Sequence, residues 1–173
     1  MPFKPLIAAL LDPRGRCNRK GLFVAAVSML GVEIATSGLA LAAGYGLDAP
    51  VLMPAKLVLF YAALAVAAQR LHDLGLSAWR MLWAAVALIA WSFAFTFGVM
   101  VYVPPENMAP GGSGFAIVLA GVGVPMLALL LWLHFAPGMA GPNRFGPVPD
   151  ALGFSRHMGR RREAPVGGVA ATA

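Results

Sequence analysis

From Trp79 to Val103 the chain reads WRMLWAAVALIAWSFAFTFGVMVYV, and beyond Arg80 this stretch holds no charged residue. As an α-helix rising 1.5 Å per residue, Met81 to Val103 extends about 34 Å, enough to cross a hydrocarbon core of about 30 Å. Three further apolar runs are of comparable length: Gly21 to Leu47, Val51 to Leu71 and Phe115 to Ala136. The breaks between the four runs carry turn chemistry. Gly44 and Gly46 with Asp48 and Pro50 form the first, His72-Asp73-Leu74-Gly75 before Ser77 the second, and Pro104-Pro105 through Gly114 the third. Gly75 is expected to stop the second helix in a left-handed conformation and Ser77 to cap the third.

Composition points the same way. The 173 residues are 60% hydrophobic and 12% charged, with mean hydropathy +0.76, whereas soluble domains carry about 25% charged residues. The expected fold is all-α: an integral membrane four-helix bundle with a short cytoplasmic hairpin and a flexible C-terminal tail. Residues 1–20 form a basic cytoplasmic segment, 21–136 the four-helix domain, 137–154 a Gly/Pro-rich cytoplasmic turn and 155–173 a basic disordered tail. Leu6 to Leu11 is shorter than the core of a secretory signal, and Asp12-Pro13-Arg14 follows it where a cleavage site should stand. Phe3 to Leu11 is therefore expected to be retained, as a short interfacial helix. The single Cys17 has no intramolecular disulfide partner and no zinc-ligand spacing, and reads as a reduced thiol of minor structural weight.

Sidedness follows from Lys and Arg, which favour cytoplasmic loops. The amino-terminal segment holds Lys4, Arg14, Arg16, Arg19 and Lys20, the second-to-third hairpin Arg70 and Arg80, and the tail Arg144, Arg156, Arg160, Arg161 and Arg162. Twelve of the thirteen basic residues thus share one face, and only Lys56 lies toward the other. Both termini are expected in the cytoplasm. The net charge of +6 flanks apolar stretches and forms no basic stripe interleaved with aromatics, so nucleic acid is not an expected partner. Arginines of the tail suit attraction to an anionic leaflet at about 1 kcal/mol each.

Three polar motifs fall on that same face: Gly15-Arg16-Cys17-Asn18-Arg19, the run from Arg70-Leu71-His72-Asp73 to Ser77-Ala78-Trp79, and Pro137-Gly138 with Gly141-Pro142-Asn143-Arg144-Phe145-Gly146-Pro147. In these motifs, across roughly Gly15 to Pro149, the chain resembles the domain-of-unknown-function family numbered 805. The resemblance implies a small bacterial inner-membrane protein and implies no activity. Gln69 stands where that family commonly places a second arginine.

The motifs suggest a shared cytoplasmic polar cluster of Arg16, Arg19, Arg70, His72, Asp73, Ser77, Trp79, Asn143 and Arg144. An imidazole beside a carboxylate and guanidinium groups can hold an anion or relay a proton. The structural alternative has Asp73 and His72 bridging the hairpin while Arg70 reaches lipid phosphate. His134 is a further candidate for the cluster, and Trp79 with Trp83 reads as an interfacial anchor. No metal-ligand set accompanies the His72-Asp73 doublet, and no cofactor motif is present. Small-residue pairs Gly31 and Ala35, Gly38 and Ala42, and Ala63 and Ala67 permit close helix contact.

Glu33 is the one acidic residue deep in an apolar run, where an unpaired charge costs about 2.5–3.5 kcal/mol. Its depth nearly matches that of Lys56 on the next, antiparallel helix. An intramembrane pair is one expectation; the other bonds Glu33 to Ser37 while Lys56 extends outward.

Three function classes stay open. The first is a structural or regulatory protein binding anionic lipid headgroups or a membrane partner, including a second copy of itself. The second is a subunit of a small transporter or channel, resting on Glu33. The third is a membrane enzyme acting on a phosphorylated or headgroup substrate, supported only by the Arg/His/Asp/Asn cluster.

Overall fold

The computed structural model describes residues 3–155. Its order is α1 (Phe3–Leu11), β1 (Arg16–Cys17), α2 (Arg19–Ala42), α3 (Met53–Asp73), α4 (Trp79–Tyr102), α5 (Ser113–Phe135) and β2 (Phe154–Ser155). The four long helices, α3 with its leading turn Pro50–Leu52, are long and apolar enough to cross a membrane, with mean hydropathy of 1.8 to 2.4 in their most apolar windows. The fold is all-α with no sheet core; the two short strands form one antiparallel pair, Arg16 opposite Ser155 and Cys17 opposite Phe154.

Local chemistry sets the helix ends. Helix α2 stops at Ala42, short of the expected Leu47, because Gly44 turns left-handed at φ +82°. Tyr45 N–H then reaches back to the Ala40 carbonyl at 2.9 Å and Gly44 N–H to Leu41 at 3.0 Å, which satisfies the last carbonyls of the helix. Helix α3 ends the same way at Gly75 (φ +76°), with Gly75 N–H on His72 O and Leu76 N–H on Leu71 O. Ala78, not Ser77, occupies the cap position of α4. The Ser77 hydroxyl, one residue before that position, still accepts from Trp79 N–H at 3.3 Å.

Helix α2 packs chiefly on α3, and α4 chiefly on α5. Within the second pair, Pro125 lies inside α5 and cannot supply the N–H that the Gly121 carbonyl needs. The Trp91 indole Nε1 donates to that carbonyl at 2.9 Å. Gly121 also lets α4 approach, since a Cβ there would overlap the Phe95 ring.

The small pairs expected to mediate contact are not the ones that do. A Cβ added at Gly31 or Gly38 meets nothing within 4 Å, and Ala63 is exposed. On α3 the buried residues include instead Ala62, Ala65, Val66, Gln69, Arg70 and Asp73, a stripe with helical spacing, with Ala68 and Leu71 buried beside it. Of the two expectations for Glu33 and Lys56, the structure shows the second and not the intramembrane pair. Ser37 Oγ donates to Glu33 Oε1 at 3.3 Å, while Lys56 Nζ donates to the Leu47 carbonyl at 2.9 Å. Matching depths did not bring the two together because the Lys56 stem extends toward the loop, away from the span's centre.

The apolar core lies at the end of the bundle where α2 begins and α3 ends. Cys17, Ala25, Val66 and Phe154 form it, with Leu6, Ala9, Leu10, Leu22 and Met29 packed against them. Cys17 is fully buried there, so its structural weight is larger than its sequence context suggested. Helix α1 offers Leu6, Ala9 and Leu10 to this core, and leaves Ile7 and Leu11 exposed on its other side. Ser155, expected to begin the tail, pairs in β2; Arg156, Arg160, Arg161 and Arg162 lie outside the described residues.

Candidate functional site

The last turn of α3 carries a carboxylate between two guanidinium groups. Arg70 and Asp73 are three residues apart and so share one face of α3; Arg70 Nη1 donates to Asp73 Oδ2 at 2.7 Å. Arg16 comes from β1 and donates through Nε (3.1 Å) and Nη2 (2.9 Å) to Asp73 Oδ1. Relative exposure is 0% for both arginines and 2% for Asp73, so the pairs are closed to solvent.

The remaining arginine donors seize backbone carbonyls of the returning chain. Arg70 Nε donates to Leu133 O at 2.8 Å and Nη2 to Ala136 O, both at the carboxyl end of α5, where carbonyls lack helical partners and a cation meets the negative end of the dipole. Arg16 Nη1 reaches Gly141 O and Nη2 reaches Met139 O, each at 2.6 Å. Met139 N–H in turn donates to the Asp73 carbonyl at 2.9 Å. Gly138 is required beneath this strap, because a Cβ there would overlap the Asp73 carboxylate.

His72 makes the second tie. Its Nδ1 lies 3.0 Å from Gly15 O, and its ring stacks on Phe145 with centroids 4.0 Å apart and planes 8° from parallel. Asn143 Nδ2 donates to the His72 carbonyl at 2.9 Å, while Asn143 Oδ1 accepts from Phe145 N–H. Arg144 sits with Cζ 4.6 Å from the Phe145 ring centroid, a cation–π contact at the edge of the cluster. Arg19 is exposed at the rim and donates through Nε to Ala136 O at 3.2 Å.

The structure therefore brings together Arg16, Arg70, His72, Asp73 and Asn143, with Arg19 and Arg144 at the periphery. It does not bring in Ser77, which bonds only locally to Trp79, or Trp79, which is 68% exposed. His134 also stays out, with Nδ1 on the Leu130 carbonyl of its own helix. Among the described residues, no three His, Cys, Asp or Glu side chains converge as metal ligands do.

Gln69 is a participant that sequence reasoning noted only as a departure. It is 1% exposed, and its Nε2 donates to Ala9 O at 2.6 Å and to Asp12 O, tying the end of α1 to α3. The signal was its place in the stripe, four residues before Asp73. Cys17 lies beside the pairs; burial pushes its thiol pKa up to about 12, with Arg70 opposing and Asp73 adding to the shift.

Above the buried pairs lies an open cleft of about 390 Å³. Asn18, Arg19 and Lys20 line one wall, Pro137 to Ala140 the other, and Arg70 and Asp73 the floor. Asn18 caps α2 through Oδ1, which accepts from Gly21 N–H at 3.0 Å.

The family model described as Protein of unknown function (DUF805) matches residues 10–147. The chain belongs to this family. The DUF805 match includes Arg16, Arg70, Asp73 and every carbonyl their side chains hold, whereas Phe154 and Ser155 lie past its end. No curated protein and no solved structure matches the chain.

Proposed function

We propose that this DUF805 chain is a multi-pass protein of the bacterial inner membrane, with both termini cytoplasmic, that binds anionic lipid headgroups in the basic cleft at the polar end. The observation that carries this reading is the division of labour among the arginines. Arg16 and Arg70 are consumed by Asp73 and by backbone carbonyls, which makes them a clasp and not a ligand site. Arg19 and Lys20 stand exposed on the cleft wall above it. The clasp ties the chain after α5 to Arg16, just before α2, and the two exposed cations offer an anion their charge from one side of the cleft.

Sidedness rests on the basic asymmetry of the sequence, and reporter fusions at both ends and at the Gly75 hairpin test it. Headgroup binding is tested in nanodiscs of equal phosphatidylglycerol and phosphatidylcholine. The native chain retains more phosphatidylglycerol on extraction, and the double variant Arg19→Gln, Lys20→Gln retains at most half as much of that excess. Equal retention by the two forms would overturn the reading.

A further inference from the structure

Helix α3 and the α4–α5 pair leave a groove of about 310 Å³ between them. Its walls include Ala67 of α3, Leu76 of the hairpin, Ala84 and Leu88 of α4 and Leu129 of α5, and Arg80 is the one charged residue lining it. Arg80 lies in the first turn of α4, at the polar end; Leu88 lies eight residues further, about 12 Å deeper along the helix. The groove thus has a cationic mouth and a hydrocarbon shaft.

That cation is not neutralised from within. The ion pairs among the described residues are Arg16–Asp73 and Arg70–Asp73, and neither involves Arg80. Among the described residues, the one fully buried carboxylate at this level, Asp73, is already held by two arginines. Asp12 and Asp150 are engaged locally, each accepting from a backbone N–H two residues on. Trp79 and Trp83 flank Arg80 and are 68% and 69% exposed, the placement of indoles at headgroup level.

We infer that this groove binds one anionic phospholipid, with its phosphate on Arg80 and one acyl chain against Ala84, Leu88 and Leu129. Charge complementarity selects the headgroup end, and the apolar walls at matching depth select the chain. The inference is independent of the cleft reading and rests only on the helices crossing a membrane.

The test is native mass spectrometry of delipidated protein in detergent, titrated with phosphatidylglycerol or phosphatidylcholine of identical chains. The native chain takes up one phosphatidylglycerol with at least fivefold preference. Arg80→Gln, which breaks no side-chain bond among the described residues, lowers the preference to near unity, and Arg80→Lys keeps most of it. Ala84→Phe fills the shaft and lowers uptake of both lipids at least fivefold. Preference retained in Arg80→Gln would overturn the assignment, as would unchanged uptake in Ala84→Phe or a dimer that excludes lipid. Loss of the event in Arg19→Gln, Lys20→Gln would move the lipid to the cleft, overturning the groove assignment while leaving the cleft reading intact.

Discussion

The polar end of the bundle and the α4–α5 pair are held by different physics. At the polar end, α3, β1 and the strap after α5 converge on one carboxylate, and the side chains that meet there are 0 to 2% exposed. Along α4 no residue is buried at all, and its packing on α5 includes a close glycine contact and one indole hydrogen bond. Lipid tails are as apolar as leucine, so burial cannot drive helices together inside a bilayer. The difference teaches where such a chain must place its specificity: in polar bonds at the water-facing end, and in close approach with single hydrogen bonds within the spans.

The widest gap between the two regions is expected at Asp73. Asp73→Ala leaves two buried guanidinium groups without their carboxylate, and removing one partner of a buried pair costs about 3–5 kcal/mol. Thermal unfolding in detergent reads this; a loss below about 1 kcal/mol would make the polar end no stronger than the spans. Gly138→Ala comes next, because its methyl group displaces the Asp73 carboxylate. Overpacking of that kind costs about 1–3 kcal/mol, and the same melts should show it while the helix content by circular dichroism stays unchanged.

In the spans the effects are smaller. Trp91→Phe frees the Gly121 carbonyl and should cost about 0.6–1.7 kcal/mol, the range for hydrogen bonds between membrane helices. Pro125→Ala restores the helical N–H to that carbonyl, so the cost of Trp91→Phe should shrink in the Pro125→Ala background. A double-mutant cycle with strictly additive energies would remove the Trp91 bond from the account of α4–α5 packing.

The slightest effect, up to about pH 9, is a dependence on pH. Burial holds the folded Cys17 thiol protonated up to about pH 12, whereas its reference value is 9.0. As pH rises above 9 the unfolded chain loses this proton first, so stability falls, by about 0.4 kcal/mol at pH 9 and by more toward pH 12. Cys17→Ala should lack that component of the slope, and a maleimide should label the native thiol at pH 8 only after unfolding.

Much of this fold is legible in the residues. The four spans follow from uninterrupted apolar runs, and the end of α3 from Gly75, where a left-handed residue is needed; α2 stops at the left-handed Gly44, before the end of its apolar run at Leu47. The carboxylate and its two arginines were on the page as motifs sharing one face, but their partners were not. Leu133, Ala136, Met139 and Gly141 contribute carbonyl oxygens, which every residue has and no side chain announces. The buried face of α3 was readable in principle, since Gln69, Arg70 and Asp73 continue the period of Ala62, Ala65 and Val66; abundant alanine on the other faces hid it. Glu33 and Lys56 left two arrangements open, because depth along two helices fixes neither azimuth nor the direction a long side chain takes.

The clasp also has a timetable. The Gly141 carbonyl held by Arg16 comes 125 residues later in the chain, and at about 5–20 residues per second this acceptor does not exist for roughly 6–25 s after Arg16 is made. During that interval Arg16 and Asp73 can already meet, but the strap that closes over them is still unmade. Closure at the polar end therefore comes after all four spans have been synthesised, so a chain interrupted anywhere before the strap exposes charged groups that the finished protein conceals, a distinction that membrane proteases and chaperones can read.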